Sequence, residues 1–526
     1  MKVEVELNPE FLKALTLMEE TSENVFVTGK AGTGKSTLLE YFREKTKKQV
    51  VVLAPTGVAA LNVAGETIHS FFHFKPDITP EKAGLLKPKN TEIYKKIDAI
   101  IIDEISMVRA DLLDCVNTFL KKHGKKKKLP FGGVQLIFIG DLYQLPPVVT
   151  YKEKDIFKDY YKSPYFFDAK CFEKMSFTLL ELEKVYRQKD NSFIELLNAI
   201  RNNSVNEKNI NDLNSRVGAK FDKKLKGYEI YLTTTNDAAY QINSAKMEDL
   251  PGEEKVFNAK VVGELERNQF PTEEQLTLKK GARVMFLNND TYGYWVNGTL
   301  GEVEDIVYDT EESNYAVWVK LQDGSIAEVY PNEWDVFHFS YDKKAKKLVS
   351  ESAGSFIQYP LRPAWAVTIH KSQGKTFNKV IVDIGKGAFA HGQVYVALSR
   401  CTSFQGLSLA KRIEKKHIFA DWRIVNFMAK YKYAISEKDM PFTEKVSFIN
   451  EAIRKKSTLK MIYLKSNDIK SVRMIRPLKI AEMEFMGKTF TGLRAFCFER
   501  SEERTFRIDR ILKIENVEEE SPKSKV

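Results

Sequence analysis

Residues Gly29-Lys-Ala-Gly-Thr-Gly-Lys35-Ser36 decide the fold of the first part of this chain. An apolar run, Asn24-Val-Phe-Val-Thr28, precedes them, and a helix-forming run, Thr37-Leu-Leu-Glu-Tyr41, follows. Small residues between a strand and a helix let consecutive backbone N–H groups surround phosphate oxygens at the start of the helix, where the helix dipole also favours anions. The stretch therefore predicts a P-loop that binds a nucleoside triphosphate.

The residues of this loop have separate expected roles. Lys35 is expected to contact the β- and γ-phosphates, and Ser36 to bind Mg²⁺. The alternative is a glycine turn that merely joins a strand to a helix. The expected nucleotide-binding residues are Gly29, Gly32, Thr33, Gly34, Lys35, Ser36 and Thr37.

The composition is typical of a globular protein with a polyanionic partner. The chain has 526 residues, enough for about three to four domains, and 43% of them are hydrophobic. Its 82 basic and 71 acidic residues give a net charge of +11, which favours nucleic acid as a partner. The four cysteines form no C-x-x-C pair, so we expect neither a disulfide framework nor a cysteine-based zinc site. No apolar run approaches the ~18 residues that span a bilayer, so we expect no membrane association and a cytoplasmic location, as in a bacterial cytosol.

Recurrent apolar runs predict two α/β domains built on parallel sheets. Each run ends in a polar or Gly/Pro turn, and helical stretches lie between the runs, as in doubly wound folds. The runs are Val50–Pro55, Ile100–Asp103, Gln135–Asp141, Glu229–Asn236 and Lys379–Ile384. We expect the first domain over residues 1–188 and the second over residues 189–277 and 352–433.

Two further segments have a different pattern. Residues 278–351 interrupt the second α/β domain with a two-residue hairpin signal at Asn297-Gly298 and alternating polarity over Tyr315–Leu321. We interpret them as a small inserted β-barrel. Beyond a charged run at residues 436–439, interpreted as a linker, residues 444–517 carry one helical stretch and several short strands. They predict a separate C-terminal domain.

A pair of carboxylates, Asp103 and Glu104, follows a predicted buried strand roughly 70 residues after the P-loop, where nucleoside triphosphatases place their second signature. Asp103 is expected to hold Mg²⁺ through water, and Glu104 to align and deprotonate the attacking water. The alternative is a carboxylate pair that caps the next helix. Gln144, in the loop after the next strand, is expected to sense the γ-phosphate.

The order of motifs resembles that of superfamily 1 helicases of the 5′-to-3′ group, and within them the PIF (petite integration frequency) family. The resemblance covers about residues 7–415. It depends on several motifs in order rather than on the P-loop alone. These motifs are Ala54–Ala60, Gly65–Phe72, Asp103–Met107, Pro130–Leu136, Tyr186–Gln188, Asp190–Arg201, Thr234–Asn236, Ala366–Gly374 and Val396–Arg400.

The resemblance implies a DNA helicase that uses ATP and Mg²⁺, with two RecA-like domains and ATP between them. It also implies an SH3-like barrel in the insertion, partners that are single-stranded DNA and tailed or structured duplex DNA, and a monomer or weak DNA-induced dimer. DNA repair, recombination and telomere maintenance are roles of the same family. The residues implied to bind DNA are Thr56, His69, Asn236, His370 and Lys371, and Gly374 is implied to contact the nucleotide.

Two arginines come from the second α/β half or its border and can therefore act across the cleft between the domains. Arg187 and Arg400 are expected to be arginine fingers, a role worth roughly 10³ to 10⁵ in rate. The alternative for each is a surface ion pair. A finger of this kind would let domain closure control hydrolysis.

The chain departs from the family pattern at two places. Helicases of this group usually carry an adenine-reading Gln shortly after Leu-Asn/Ser-x-Glu, but Phe11 follows Leu7-Asn8-Pro9-Glu10 here. The family keeps a small wedge element in the segment 73–97, but the sequence of this segment does not show which residue separates the DNA strands. Elsewhere, Lys121–Lys128 is interpreted as a solvated loop, with a direct phosphate contact as the alternative.

The C-terminal segment Ile453–Val517 contains Ile462-Tyr463, Arg473 with Pro477 four residues later, Leu493-Arg-Ala-Phe-Cys497 and Arg504-Thr-Phe-Arg-Ile-Asp-Arg510. With these residues it resembles a WYL domain, a small Sm-like barrel that in other proteins binds nucleic acid or nucleotide ligands. Thr491-Gly492 stand where Trp-Tyr is expected. The alternation of arginines on strand-like runs implies a basic face that binds DNA, and ion pairs with Glu502 and Glu503 are the alternative. The arginines of this face are Arg473, Arg504, Arg507 and Arg510.

Two other functions fit the same motifs. A helicase subunit of a nuclease complex shares them, although the sequence shows no carboxylate cluster typical of a nuclease. A nucleic-acid sensor is the non-enzymatic alternative. In that case the WYL domain receives a ligand and the P-loop half only switches between states.

Overall fold

The computed structural model describes residues 7–75, 78–149, 160–188, 190–221, 225, 228–263, 270–290, 292–342, 347–485 and 487–517. The chain divides into two compact units. The larger unit contains residues 1–201 and 205–419, and the smaller one residues 202–204 and 420–526. Among the helices that are described, none is long and apolar enough to cross a membrane.

The first half of the larger unit is built on a parallel sheet. Its strands are β1 (Asn24–Gly29), β2 (Val50–Ala54), β3 (Glu66–Thr67), β4 (Ala99–Ile102), β5 (Gln135–Gly140) and β6 (Phe177–Leu182). The strand order is β3-β2-β4-β5-β1-β6, and the paired strands run parallel. Every residue of β4 and β5 is buried, because parallel sheets are covered on both faces. The apolar runs in this half therefore form strands, as expected.

Side chains that alternate along these strands separate two layers of core. Val25, Val27 and Ile137 pack on one face with Leu38 and Phe42 of the helix after the P-loop. Phe26 and Phe138 point to the other face, where both rings contact Phe166. The helices of this half are α1 (Pro9–Glu20), α2 (Lys35–Lys45), α3 (Gly57–Asn62), α4 (Ile68–Phe71), α5 (Pro80–Leu85), α6 (Glu92–Lys96) and α7 (Ala110–His123).

Two segments singled out in the sequence contain helix. The wedge segment 73–97 includes α5 and α6, while residues 76–77 lie outside the described part of the chain. The lysine-rich segment begins inside α7, since that helix continues to His123. The loop expected over Lys121–Lys128 therefore begins only at Gly124, the C-cap residue.

The second half of the larger unit adds helices and a second parallel sheet. Its helices are α8 (Asn191–Arg201), α9 (Glu207–Asn214), α10 (Asn236–Glu248) and α11 (Gln393–Ser399). Its strands are β7 (Glu229–Thr233), β8 (Lys255–Asn258), β9 (Lys260–Gly263), β10 (Gln275–Leu278), β11 (Arg283–Phe286), β12 (Leu300–Asp309), β13 (Asn314–Leu321), β14 (Ile326–Val329), β15 (Asn332–Asp342), β16 (Lys347–Gln358), β17 (Leu361–Pro363), β18 (Ala366–Thr368), β19 (Lys379–Asp383) and β20 (Leu407–Leu409). Four of them form a parallel sheet in the order β18-β7-β19-β20.

The strands between β7 and β18 form antiparallel sheets. The orders are β14-β13-β12-β11-β17, β15-β16-β9 and β10-β8. Alternating burial along β13 confirms the strand predicted over Tyr315–Leu321. The two-residue hairpin predicted at Asn297-Gly298 is wrong, because β11 ends at Phe286 and β12 begins only at Leu300. Gly298 instead closes a longer loop, with its N–H donating to the carbonyl of Phe286 (2.9 Å).

The smaller unit combines two helices with an antiparallel sheet. The elements are α12 (Trp422–Asp439), α13 (Phe442–Lys455), β21 (Leu459–Leu464), β22 (Lys470–Phe485), β23 (Lys488–Cys497), β24 (Glu502–Arg507) and β25 (Ile511–Asn516). The strand order is β24-β23-β22-β21-β25. Ile449 and Ala452 of α13 pack against Met461, Leu493 and Ile514 of the sheet to form the core.

The charged run at residues 436–439 is not a linker but the last turn of α12. Ser436 Oγ donates to the carbonyl of Ile511 (3.1 Å). One turn earlier, Lys432 forms a buried ion pair with Asp468 (2.9 Å). These partners lie far along the chain, and composition alone did not reveal them. The helix therefore belongs to the C-terminal unit.

Candidate nucleotide site and nucleic-acid interface

The P-loop joins β1 to α2 in a conformation that depends on glycine. Gly32 and Gly34 have φ values of 78° and 84°, in the left-handed region that is unfavourable for other residues. A Cβ on Gly32 would lie 2.5 Å from the Cβ of Arg187, so the two segments approach closely. Lys35 Nζ donates to the carbonyl of Gly29 (2.8 Å), and burial lowers the pKa of this ammonium. The ammonium therefore lies against the loop in which it is expected to contact the β- and γ-phosphates.

Two carboxylates lie directly beyond β4. Glu104 has a φ of 48°, which is uncommon for a residue with a side chain and which turns the chain away from the strand. Burial and the neighbouring charge of Glu104 raise the pKa of Asp103 to about 7, and burial raises the pKa of Glu104. Ser36 lines the same cavity of about 480 Å³. A hydroxyl and a carboxylate fit Mg²⁺, which binds oxygen ligands together with substrate phosphates and water.

One glutamine links the two halves of the larger unit at this carboxylate. Gln373 Nε2 donates to Glu104 Oε2 (3.0 Å) and to Gln144 Oε1 (3.3 Å). Glu104 and Gln144 follow strands of the first sheet, whereas Gln373 lies beyond β18 of the second. Sequence reasoning assigned no role to Gln373, although its motif, Ala366–Gly374, was a signal that could have identified it.

The side chains of the two predicted finger arginines both form hydrogen bonds near the C-terminal end of α11. Arg187 Nη1 donates to the carbonyl of Ser399 (3.2 Å). Arg400 Nε donates to the carbonyl of Val396 (3.0 Å), and its Nη2 donates to Ser399 Oγ (2.9 Å). Burial, together with the charge of Arg187, lowers the pKa of Arg400 to about 9. Arg400 is only 1% exposed, so it is not the surface residue of the alternative interpretation.

A cavity of about 650 Å³ brings most of the predicted nucleotide residues together. Gly29 contributes through its carbonyl to Lys35, and Asp103 lines the adjoining 480 Å³ cavity. Both halves of the larger unit therefore contribute to one site. The predicted residues that line the 650 Å³ cavity are Gly32, Thr33, Gly34, Lys35, Ser36, Thr37, Glu104, Gln144, Arg187, Gly374 and Arg400.

Sequence reasoning missed a buried ion pair next to this site. Arg201, the last residue of α8, pairs with Asp141 at 2.8 Å, and the two side chains are 3% and 0% exposed. The Arg201 guanidinium also lies 4.1 Å from the ring centre of Tyr143. Tyr395 Oη accepts the N–H of Ala31 in the P-loop (2.8 Å). Each of these contacts joins residues distant in sequence, so only the fold reveals them.

Three residues predicted to bind DNA share a cavity, and two more lie elsewhere. Thr56, His370 and Lys371 line the 480 Å³ cavity. Asn236, at the start of α10, lines a neighbouring cavity of about 490 Å³ together with Lys371. Burial lowers the pKa values of His370 and Lys371. His69 lies on α4 and is not among the described residues that line these two cavities.

The arginines predicted as a basic face in the smaller unit are partly occupied by ion pairs. Arg504 pairs with Glu502 (3.0 Å), as the alternative interpretation expected, and Arg507 pairs with Asp509 (2.6 Å). Arg510 lies in the 3₁₀ turn after β24. Exposed pairs of this kind are worth little in stability, and phosphates can compete for such arginines.

Lys465 and three arginines form a group of cations in the smaller unit. Burial, and then the charges of Arg473, Arg500 and Arg504, lower the pKa of Lys465. Cations that lower the pKa of an ammonium lie near it. Of the four predicted arginines, Arg473 and Arg504 therefore belong to a cationic cluster with Lys465 and Arg500.

Comparison with known proteins accounts for both units. The PIF1-like helicase profile matches residues 10–211, and the WYL domain profile matches residues 444–516. The ATP-dependent DNA helicase Pif1 of Bdellovibrio bacteriovorus is 33% identical over 444 residues, which cover 82% of this chain and 93% of the relative. The ATP-dependent DNA helicase Pif1 of Campylobacter jejuni is 30% identical over 444 residues, which cover 78% of this chain and 95% of the relative.

Solved structures agree with these relatives. A Bacteroides Pif1 in complex with ADP-AlF4 superposes with a TM-score of 0.72 at 35% identity, covering 82% of this chain and 98% of that one. Bacteroides Pif1 bound to single-stranded DNA covers the same shares with a TM-score of 0.61 at 35% identity. The parallel-sheet core is thus a RecA-like core of the kind present in Pif1 structures. The chain belongs to the PIF1-like helicase family and carries a WYL domain at its C-terminus.

Proposed function

We propose that this chain is an ATP-dependent DNA helicase that translocates 5′-to-3′ on single-stranded DNA and unwinds duplexes. One observation carries the proposal. Gln373, three residues after His370, bonds across the cleft to Glu104 (3.0 Å). The motif implied to hold DNA is therefore joined to the residue implied to activate water, which is the connection that a motor requires.

The nucleotide is held by the P-loop and its neighbours. Backbone N–H groups at the start of α2 would donate hydrogen bonds to the phosphates. Lys35 would replace its hydrogen bonds to carbonyls of the loop with bonds to β- and γ-phosphate oxygens. Ser36 and Asp103 would hold Mg²⁺, which neutralises charge that develops on the phosphate oxygens. The residues proposed to contact ATP also include Gly29, Gly32, Thr33, Gly34, Thr37 and Gly374.

Glu104 is proposed as the base that orients the attacking water and accepts its proton. Burial raises the pKa of Glu104, while the charges of Lys35 and Arg400 and the hydrogen bond from Gln373 oppose that rise. A base with a raised pKa is a better proton acceptor, provided that it stays ionised at the working pH. Gln144, held by the same Gln373, would sense the γ-phosphate.

Arg187 and Arg400 are proposed as the fingers that stabilise charge on the γ-phosphate in the transition state. Both line the nucleotide cavity, and both side chains form hydrogen bonds at the end of α11 in the second half. Movement of that half relative to the P-loop would change the distance of Arg400 from the phosphates, and it would break or form the bond of Arg187, whose backbone lies against Gly32 of the P-loop. Closure of the cleft would therefore control hydrolysis.

The proposed DNA track runs over the cavities that contain Thr56, His370, Lys371 and Asn236. Burial lowers the pKa of Lys371, so its charge is incompletely solvated and a phosphate would stabilise it. His69 is proposed as a further contact on α4. A polar and cationic track that contacts the backbone suits a translocase, which must accept any sequence.

In the smaller unit, we propose an accessory DNA contact through Arg473, Arg504, Arg507 and Arg510. The cationic cluster around Lys465 supports this role for Arg473 and Arg504. We interpret this unit as an Sm-like barrel and the inserted five-stranded sheet as an SH3-like barrel. The protein would work in the cytoplasm as a monomer or as a weak dimer formed on DNA.

Strand displacement tests the proposal. Duplexes with a single 5′ or a single 3′ tail are mixed with the protein, Mg²⁺ and ATP, and Lys35→Ala serves as the control without hydrolysis. We expect displacement only from the 5′-tailed duplex. Displacement from the 3′ tail would overturn the polarity. DNA-stimulated ATP turnover with a rate above the basal one would contradict the sensor alternative, and purification with a bound nuclease would favour the alternative of a nuclease complex.

A further inference from the structure

Part of the wall of the nucleotide cavity, beside Gly34 of the P-loop, is aromatic. Phe11 is 2% exposed, and its Cζ would lie 3.2 Å from a Cβ on Gly34, so its ring lies against the P-loop. Tyr186 approaches the same position, with its Cδ2 at 3.9 Å, and is 40% exposed. Both rings line the cavity. A base placed there meets aromatic surface rather than an amide.

Two polar side chains close to these rings in sequence form hydrogen bonds within the protein. Asn8 Oδ1 accepts the N–H of Phe11 (2.9 Å), and Asn8 Nδ2 donates to Tyr186 Oη (3.2 Å). Glu10 Oε2 accepts the N–H of Glu183 (3.0 Å). These bonds fix α1 against the segment that carries Tyr186. Neither Asn8 nor Glu10 is among the described residues that line the cavity.

The other described residues that line the cavity do not supply a reader of the base. Gln144 bears a side-chain amide, but it bonds Gln373 next to Glu104, at the end where the γ-phosphate is hydrolysed. The side chains of Thr37, Thr376 and Tyr186 offer hydroxyls, which both donate and accept. A hydroxyl can therefore bond the 6-amino group of adenine or the 6-carbonyl of guanine equally well.

We propose that this site selects nucleoside triphosphates by their phosphates and by aromatic stacking, without discriminating the base, so that GTP and the pyrimidine triphosphates are substrates beside ATP. Stacking is tolerant because every base has a π-face. A site that hydrogen-bonds its substrate rejects an analogue by roughly 10⁴ to 10⁵, whereas a site without such bonds does not. The inference rests on the proposed function and names its substrate class.

Steady-state hydrolysis with saturating single-stranded DNA tests this selectivity. We expect kcat/KM for ATP and GTP to agree within about tenfold, with CTP and UTP lower because smaller bases stack less. A preference for ATP above about 100-fold would overturn the inference. If no nucleotide is hydrolysed, the proposed function fails instead, and calorimetric binding of ADP and GDP still measures base selectivity. ADP binding that is more than about 100-fold tighter than GDP binding would overturn the inference.

Two variants separate stacking from base reading. Tyr186→Ala should raise KM for ATP and GTP by the same factor, about fivefold to tenfold. The control Tyr292→Ala removes an 85% exposed ring that is not among the described residues lining this cavity, and it should raise neither KM. Phe11→Gln should raise the ratio of kcat/KM for ATP over GTP. Thermal unfolding of each variant shows whether it is folded. An effect of Tyr186→Ala on ATP alone would contradict the inference, because it would mean that the tyrosine reads adenine.

Discussion

The hydrogen bond from Gln373 to Glu104 allows a direct test of coupling across the cleft. Gln373 is 8% exposed, and its Nε2 is shared between Glu104 (3.0 Å) and Gln144 (3.3 Å). Gln373→Ala removes both bonds and leaves the half-buried Glu104 carboxylate without its amide donor. A buried group that is deprived of its partner is destabilised more than an exposed one, because water does not replace the bond freely.

The magnitude follows from that bond. A hydrogen bond to a charged group contributes about 1.5 to 3 kcal/mol. We expect this bond to orient Glu104 in the transition state, so its loss should raise the activation barrier by a similar amount, and because each 1.4 kcal/mol changes a rate tenfold, kcat should fall by about 10-fold to 100-fold. The bond from Gln373 also lowers the pKa of Glu104, which burial raises. Its removal therefore raises that pKa further. Since the base acts when ionised, the rise of kcat with pH should move to higher pH in the variant.

The assay is DNA-stimulated ATP hydrolysis from pH 5.5 to 9 or so, with binding of ADP and of single-stranded DNA measured in parallel. Both affinities should stay within a few-fold of the original values. Gln405→Ala, which alters an exposed glutamine, is the matched control. The reasoning is refuted if Gln373→Ala keeps kcat within about twofold and leaves the pH profile in place.

The other predictions concern single parts of the motor. Lys35→Ala and Glu104→Gln should both abolish turnover, the first with weakened ATP binding and the second with ATP binding intact. Filter binding should show that both variants keep their affinity for single-stranded DNA within a few-fold. Residual hydrolysis by Glu104→Gln would exclude Glu104 as the base. Arg187→Ala and Arg400→Ala should each lower kcat about 100-fold with nucleotide affinity much less affected, and a near-normal kcat would make that arginine structural. A chain that ends at Phe419 should remain a DNA-stimulated ATPase. Every DNA phosphate that the smaller unit neutralises in the full chain should add about 0.7 to the steepness of the plot of log affinity against log salt concentration. Equal slopes for the full and shortened chains would mean that the WYL domain does not bind DNA.

Local sequence predicted the parts of the site that depend on local structure. The P-loop between β1 and α2 and the carboxylates after β4 follow from strand–turn–helix patterns, in which every informative residue lies within a few positions. The strands of the first sheet were equally visible, because burial on both faces leaves continuous apolar runs.

Contacts between distant residues could not be predicted in this way. Gln373 and Glu104 are 269 positions apart, and Asp141 and Arg201 are 60 apart, so no pattern places either pair together. The same reason explains the error at residues 436–439. Their charge suggested a solvated linker, but Ser436 has its partner on β25, 75 positions away.

The ionisable groups of the nucleotide site share one property that no single residue reveals. Burial raises the pKa values of Asp103 and Glu104 and lowers those of Lys35 and Arg400. Each shift means that the charged form is poorly solvated, and both signs occur within adjoining cavities. A ligand that brings phosphate anions to the cations and a divalent cation to the carboxylates satisfies both sets at once. A nucleotide with its Mg²⁺ is such a ligand, whereas either component alone compensates only one sign. We therefore expect closure of the cleft to depend on the complete substrate, which would couple the hydrolytic cycle to movement on DNA.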